Sequence, residues 1–286
     1  MLPFRQILFP VDFSDSCRAM AAQVMQVATE FQCPVTLLHC YQLPVAFYGE
    51  LAPVDLVIPA NLRGAQESLL RQFAAEHLPG LPHQQITLEG ETAEEIHKFV
   101  IHNGTDLIMM PTTGRGPLRR LLLGSVVSKV LHDVSVPVWT SAHASEPDAP
   151  SHWPVRSVLC AVSLEEESEA IVRAAAVVAG RFGARLSLFH ATGYPQPAID
   201  VDYEFYRKQL VEIATQRLQS LRWDLKLDAN IIVCEGSAVQ CIRRHALAVS
   251  ADLVVLGRGH AQGVISRLWS DLYDVIRESP CPVLSI

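Results

Sequence analysis

The stretch Asp106-Leu107-Ile108-Met109-Met110-Pro111-Thr112-Thr113-Gly114-Arg115-Gly116, followed by 117–123 and then Gly124-Ser125, carries the residue types that hold phosphate. An apolar run breaks into a loop of small residues, and a helical pattern follows. Such a loop exposes backbone N–H groups and aims a helix N-terminus at whatever lies above it, where an anion is favoured. Gly114 and Gly116 admit close backbone approach or positive φ. Arg115, Arg119 and Arg120 put positive charge beside the loop on a chain whose net charge is −7. Asp12 follows a second apolar run, Ile7–Val11, and is suited to accept hydrogen bonds from ribose hydroxyls. Plainer readings stand beside these. The loop is also a sound strand-to-helix turn, Asp12 a sound N-cap for a helix starting near Ser14, and Ser125 a sound packing residue. Asp12 and Gly124-Ser125 in register favour the nucleotide reading.

Little else suggests chemistry. G-x-S-x-G, the Walker A pattern and H-E-x-x-H are all missing, and no nucleophile–base pair is visible. Rapid hydrolysis is therefore not expected. His97 and His102 are five apart and do not share a helix face; His39 and His190 end equivalent strands and read as structural. The run Glu165-Glu166-Glu167 reads as the first turn of a helix after Ser163, placed there by the helix dipole. No metal set is visible. The cysteines, Cys17, Cys33, Cys40, Cys160, Cys234, Cys241 and Cys281, are odd in number, form no C-x-x-C pair and read as small buried hydrophobes in a reducing compartment.

The elements that must position the loop alternate between strand and helix. Strands are expected at Arg5–Val11, Val35–Tyr41, Gln85–Glu89, Leu107–Met110 and Val136–Thr140. Helices are expected at Ser14–Glu30, Arg63–His77, after Thr92 and at Leu118–His132. The first helix shows Met20, Val24, Val27, Ala28 and Phe31 on one side; Thr92 and Glu95 look like a capping box. The strands are near-continuous apolar runs, which means both faces are covered. Strand–helix alternation of this kind gives an open, doubly wound parallel sheet, which binds ligands beyond the carboxyl ends of its strands where strand order reverses.

The pattern occurs twice. Phe31–His39 aligns with Phe182–His190, and Ile7–Asp12 with Val158–Ser163, at an offset of 151; Glu89-Gly90 and Asp106-Leu107-Ile108 align with Glu235-Gly236 and Asp252-Leu253-Val254 at an offset of 146. Two homologous α/β domains follow, 1–142 and 154–286, each a Rossmann-like open five-stranded parallel sheet with helices on both faces. Residues 143–153 read as a linker rich in Pro, Ser and Ala. A chain of 286 residues that is 49% hydrophobic and 19% charged fills two such cores. Its acidity argues against nucleic acid as a partner. It shows neither a membrane-spanning run nor a signal peptide's layout, so a cytoplasmic protein is expected.

The run Pro10-Val11-Asp12-Phe13-Ser14, then Leu37-Leu38-His39, then Gly114, nine residues, and Gly124-Ser125 resembles a universal stress protein domain. The duplication is similar to the tandem type of that family. The resemblance implies ATP, with or without magnesium carried on its phosphates. Pro10, Val11 and Asp12 would then lie at ribose and base, and Cys40 at the adenine. Thr112, Thr113, Gly114, Arg115 and Gly116 would form the phosphate loop, and Gly124, Ser125 and Val126 would complete it on the helix. The family pattern opens on a glycine where this chain has Pro111, which lacks an N–H. In the second half Ser163, His260 and Ser270-Asp271 replace the Asp, a Gly and the Gly-Ser pair, although Gly257 is retained. That half is expected to hold no nucleotide. The expected protein is a stress-response regulator that binds an adenine nucleotide in its first domain. Its partners would be an unidentified protein and either its own second domain, as a pseudo-dimer, or a second copy. The alternatives are a nucleotide-free interaction module and a slow ATPase.

Overall fold

The computed structural model describes residues 4–42, 61–113, 123–142, 153–193, 203–258 and 265–286. These form two compact units, one ending at Val136 and the other spanning Pro137–Ile286.

The first unit runs β1 (Ile7–Pro10), α1 (Asp15–Phe31), β2 (Val35–Tyr41), α2 (Leu62–His77), β3 (His83–Glu89), α3 (Thr92–Asn103), β4 (Leu107–Pro111) and α4 (Ser125–Asp133). Its ladder is parallel in the order β3-β2-β1-β4. The chain winds outward from β1 to β3 and returns on the other side of β1. Strand order therefore reverses between β1 and β4, where an open sheet leaves its crevice. Every residue of β1 and β4 is buried. Helix α1 buries Met20, Val24, Val27, Ala28 and Phe31, the stripe its spacing predicts. The Asp106 carboxylate accepts the Arg5 and Gln6 amides, each at 3.0 Å, which ties the entry of β1 to that of β4.

The second unit contains β5 (Val138–Ser141), β6 (Ser157–Ala161), α5 (Ser168–Phe182), β7 (Arg185–Ala191), α6 (Tyr203–Asp224), β8 (Ala229–Cys234), α7 (Ala238–Ala248), β9 (Leu253–Leu256), α8 (Ile265–Glu278) and β10 (Val283–Ser285). Strands β8-β7-β6-β9-β10 are parallel. Strand β5 runs antiparallel to β10, with Leu284 opposite Trp139. Thr140 Oγ1 donates to the Val283 carbonyl and Ser285 Oγ to the Val138 carbonyl, both at 3.3 Å.

The repeat is written into the backbone. Positive φ recurs at Phe13 and Leu164, 61° and 66°, and at Gln32 and Gly183, 54° and 63°. His39 and His190 each bring Nδ1 to a carbonyl of the preceding strand exit, Val11 at 2.7 Å and Val162 at 2.8 Å. These are the structural histidines expected. Asp252 repeats Asp106 by accepting the Arg156 and Ser157 amides.

Several local expectations are corrected. Helix α4 does not run through Gly124. That residue is the extended N-cap, with ψ 143°, and its N–H bonds back to the Thr112 carbonyl at 2.9 Å. Glycine is poor in a helix interior, and the helix starts once it is passed. Helix α3 is capped by Glu91 rather than Thr92; its carboxylate accepts the Ala93 and Glu94 amides at 3.2 and 3.0 Å. A charged acceptor at the positive end of a helix outcompetes a hydroxyl. Glu165, Glu166 and Glu167 precede α5 rather than fill its first turn, because Leu164 takes positive φ and delays the helix to Ser168. Cys234 and Cys241, read as separate hydrophobes, are joined by a disulfide. The other five cysteines are free. Among the described residues no helix is long and apolar enough to cross a membrane.

Candidate functional site

The first unit brings three strand ends to one crevice. Strand β1 stops at Pro10, and Val11 N–H makes the last bond of its edge, to the Leu38 carbonyl at 2.8 Å. Backbone groups alternate sides along a strand. Leu38 therefore faces β1, Tyr41 faces β3 (its carbonyl accepts Gly90 N–H at 3.0 Å), and Cys40 presents its N–H and C=O on the β1 side. The chain has turned away there, so these two groups look into the crevice. Burial, then the carboxylates of Glu95 and Glu91, push the Cys40 thiol up to about 12, and it stays neutral.

Asp12 does not cap α1 directly. Its Oδ1 accepts the Ser14 N–H at 2.9 Å and the Ser14 hydroxyl at 2.6 Å, and Ser14 Oγ in turn caps the helix by accepting Cys17 N–H at 3.2 Å. The aspartate thus orients the true cap, an Asx-type turn. Phe13 turns this corner in the left-handed region. Its ring lies 4.5 Å from that of His39 and 6.0 Å from that of Phe73, and the packing holds a conformation that bulky residues avoid. His39 is fixed from its other nitrogen by Gln66 Oε1 at 3.0 Å. Nothing in the local sequence marks Gln66, whose role arises only when α2 packs on β2.

The third side is the exit of β4. Pro111 is buried and ends the strand without an N–H. Thr112 is buried and Thr113 half-buried. A Cβ on residue 124 would sit 3.3 Å from the Thr112 carbonyl oxygen, so α4 approaches the β4 exit closely here and a larger residue needs a small shift of that carbonyl. Ser125, exposed, and Val126, half-buried, are the first two residues of α4. Their N–H groups have no intrahelical acceptor and point along the helix axis. Pro10, Val11, Asp12, Cys40, Thr112, Thr113, Gly124, Ser125 and Val126 are thus gathered around the exits of β1, β2 and β4. Gly114, Arg115 and Gly116 lie outside the described residues, as do Arg119 and Arg120. Sequence reading missed Lys129, which bridges Glu91 at 3.0 Å and Glu94 at 3.6 Å and leashes α4 to α3.

The second unit's crevice is built differently. A cavity of about 270 Å³ opens at the exits of β6, β7 and β9, walled by apolar side chains and by Ser163, Glu165, Glu167, His190, Arg258 and Asp271. The three carboxylates are exposed at its rim, whereas Arg258 is buried. Burial pushes the Arg258 guanidinium down to about 10. Ser163 replaces Asp12, its Oγ accepting Glu165 N–H at 3.4 Å. Helix α8 begins at Ile265, so Asp271, the counterpart of Ser125, lies within the helix rather than at its mouth. Among the described residues no cluster of three or more His, Cys, Asp or Glu is placed to hold a metal.

The model of the universal stress protein family matches residues 3–141 and again 154–286. The chain belongs to the universal stress protein family. It carries the family's domain twice, as an α/β fold of Rossmann type. A universal stress protein of Methanocaldococcus jannaschii is 29% identical over 136 residues, 47% of this chain and 80% of that protein. One of Thermus aquaticus is 30% identical over 136 residues, 47% of this chain and 96% of that protein. The crystal structure of a universal stress protein from Archaeoglobus fulgidus superposes on the whole chain with a TM-score of 0.69 at 20% identity, covering 98% of this chain and 95% of that one. That likeness is one of fold.

Proposed function

We propose that the crevice of the first domain binds ATP and that the protein acts as a nucleotide-responsive regulator in the family's stress response. One observation carries the reading. Gly124 is the N-cap of α4 and is held 2.9 Å from the Thr112 carbonyl, which sets an open helix mouth beside the exits of β1 and β2. Phosphates lie on that mouth and on the 112–116 loop, with Ser125 Oγ as a further donor. The adenine meets the backbone of Cys40. The ribose hydroxyls donate to the Asp12 carboxylate, whose Oδ2 is left over from the Ser14 contacts. Magnesium enters with the nucleotide. Pro111 removes one N–H donor and weakens binding without abolishing it.

The boundaries belong to the same proposal: a nucleotide domain over 1–142, a linker over 143–153, and a second domain over 154–286 that serves packing or partner binding. Three rim carboxylates in the second domain repel a polyphosphate, and it holds no nucleotide. Turnover is at most slow, because no general base faces the phosphate end among the described residues. The protein is cytoplasmic and pairs either within the chain or with a second copy, which sedimentation of the pure protein distinguishes. Equilibrium dialysis of the full chain against ATP tests the central point, with Asp12→Ala expected to weaken binding about tenfold. Mass spectrometry of small molecules released from fresh protein shows which nucleotide it carries. Absence of binding at millimolar ATP favours the nucleotide-free module.

A further inference from the structure

Cys234 ends β8 and Cys241 lies in the first turn of α7, with Glu235-Gly236-Ser237 between them. Their sulfurs are bonded. Arg244, one turn on from Cys241, places a guanidinium nitrogen 2.8 Å from Cys234 Sγ and 3.9 Å from Cys241 Sγ. A guanidinium against sulfur favours the thiolate, the form that attacks and is oxidised. The Glu235 backbone carbonyl lies 3.5 Å from Cys234 Sγ and 3.4 Å from Cys241 Sγ, and the Glu235 carboxylate is engaged by Arg207 at 2.7 Å. Both cysteines are buried, at 4% and 3% exposure, so a small oxidant suits them, and Arg244 itself is exposed. In the first domain the repeat places Leu88 and Glu95 at the matching positions, so the pair belongs to the second domain alone.

We propose that Cys234, Cys241 and Arg244 form a redox-active dithiol site that is oxidised by small hydroperoxides and re-reduced by dithiols. In the first step the Cys234 thiolate attacks the terminal oxygen of the hydroperoxide. The O–O bond breaks, its electron pair leaves on the alkoxide or hydroxide, which takes a proton from water, and Cys234 becomes a sulfenic acid. In the second step the Cys241 thiol attacks Cys234 Sγ. The S–O bond breaks, the S–S bond forms, and water leaves with the Cys241 proton. The two sulfurs together lose two electrons and the hydroperoxide gains them. A dithiol reverses the disulfide by exchange.

The contrast within the chain gives the site its selectivity. Burial raises the thiols of Cys17, Cys40, Cys160 and Cys281 to about 12 and that of Cys33 to about 11, and none of these five is described with a cation at hydrogen-bond distance. The bond also has structural consequence. Helix α7 supplies Ala238 and Ile242 to the wall of the second-domain cavity, and the disulfide fastens that wall to the end of β8.

The test reduces the native full-length protein with dithiothreitol, removes the reductant, adds hydrogen peroxide for graded times, and counts thiols by alkylation in denaturant and intact mass. Seven thiols falling to five, with the loss mapped to Cys234 and Cys241 and reversed by dithiothreitol, is the expected result. Cys241→Ser should trap the sulfenic acid on Cys234 as a dimedone adduct, and Arg244→Gln should slow the loss about tenfold. Thiol loss spread over the other cysteines, a pair that resists dithiothreitol in the native protein, or an unchanged rate in Arg244→Gln would each overturn the proposal.

Discussion

Replacing Gly124 by Asp separates the fold of the first domain from its proposed anion site. The residue has φ −61° and ψ 143°, which every L-residue adopts, so the backbone is not strained. Its new Cβ meets the Thr112 carbonyl oxygen at 3.3 Å, a tight contact the loop must relax. Against that, aspartate is a preferred N-cap where glycine is a weaker one, a gain of about a few tenths of a kcal/mol. Stability should therefore move by no more than about 1 kcal/mol. Binding responds in the other direction. A carboxylate and a phosphate charge about 4 Å apart repel by about 4 kcal/mol at an effective dielectric near 20. The site is half-exposed, and solvent removes about half of this. The carboxylate also occupies the N–H groups the phosphate would use, at a cost of about 1.5–3 kcal/mol for a charge-assisted bond. The total, about 4 kcal/mol, corresponds to a loss in affinity near a thousandfold. Isothermal titration with ATP gives Kd, and urea unfolding gives stability on the same preparation. Gly124→Ala carries the Cβ without the charge and should lose about tenfold or less. A folded Gly124→Asp protein whose Kd lies within threefold of the parent would show that phosphate does not sit at the mouth of α4.

Ser14→Ala removes the α1 cap and the hydroxyl donor to Asp12, and should cost about 1–2 kcal/mol in urea unfolding of the first domain. His39→Leu leaves the Val11 carbonyl and Gln66 without their bonds inside a buried region; a loss of about 1–3 kcal/mol is expected, with weaker ATP binding because the Val11–Asp12 corner is released. Burial pushes His190 down, and burial followed by Arg244 pushes His245 down. Their unfolded forms bind protons first, so the second domain should lose stability as pH falls below the ordinary histidine value of about 6.5. The loss continues until pH passes the folded values. Urea midpoints at pH 7.5 and 5.5 measure it, and His190→Gln should flatten the difference; an equal slope in that variant would remove His190 from the account.

Much of this molecule was readable in the sequence because the relevant signals are local. Apolar runs of four to seven residues gave the strands, and α1 buries the stripe its spacing predicts. The duplication was legible at two fixed offsets, and the structure repeats it down to the positive φ at Phe13 and Leu164. What the sequence hid depends on competition between neighbours or on tertiary packing. Glu91 and Thr92 are adjacent candidates for one cap, and only the charge of the first decides between them. The α4 boundary was obscured because 118–123 carry helical residues, whereas the Thr112 carbonyl's claim on Gly124 N–H is a contact across the loop. Gln66 and Lys129 act from other elements and have no mark of their own. The Cys234–Cys241 bond escaped because a spacing of seven matches no familiar pattern; it arises from a strand end meeting the first turn of the next helix.

The divergence of the second domain has a geometric side as well as a chemical one. In the first domain the N-cap is Gly124, and the start of the helix coincides with its approach to the β4 exit. In the second, α8 already runs at Ile265, and the counterpart position, Asp271, lies inside the helix with its N–H committed to that helix. Restoring charge alone, as in Asp271→Ser, would therefore remove a repulsion without returning the N–H groups that a phosphate needs. Nucleotide binding in the second domain should stay undetectable in that variant, even with Ser163→Asp added. Binding gained by the double variant, measured by dialysis in a Gly124→Asp background, would mean that rim charge and not helix position had closed the second site.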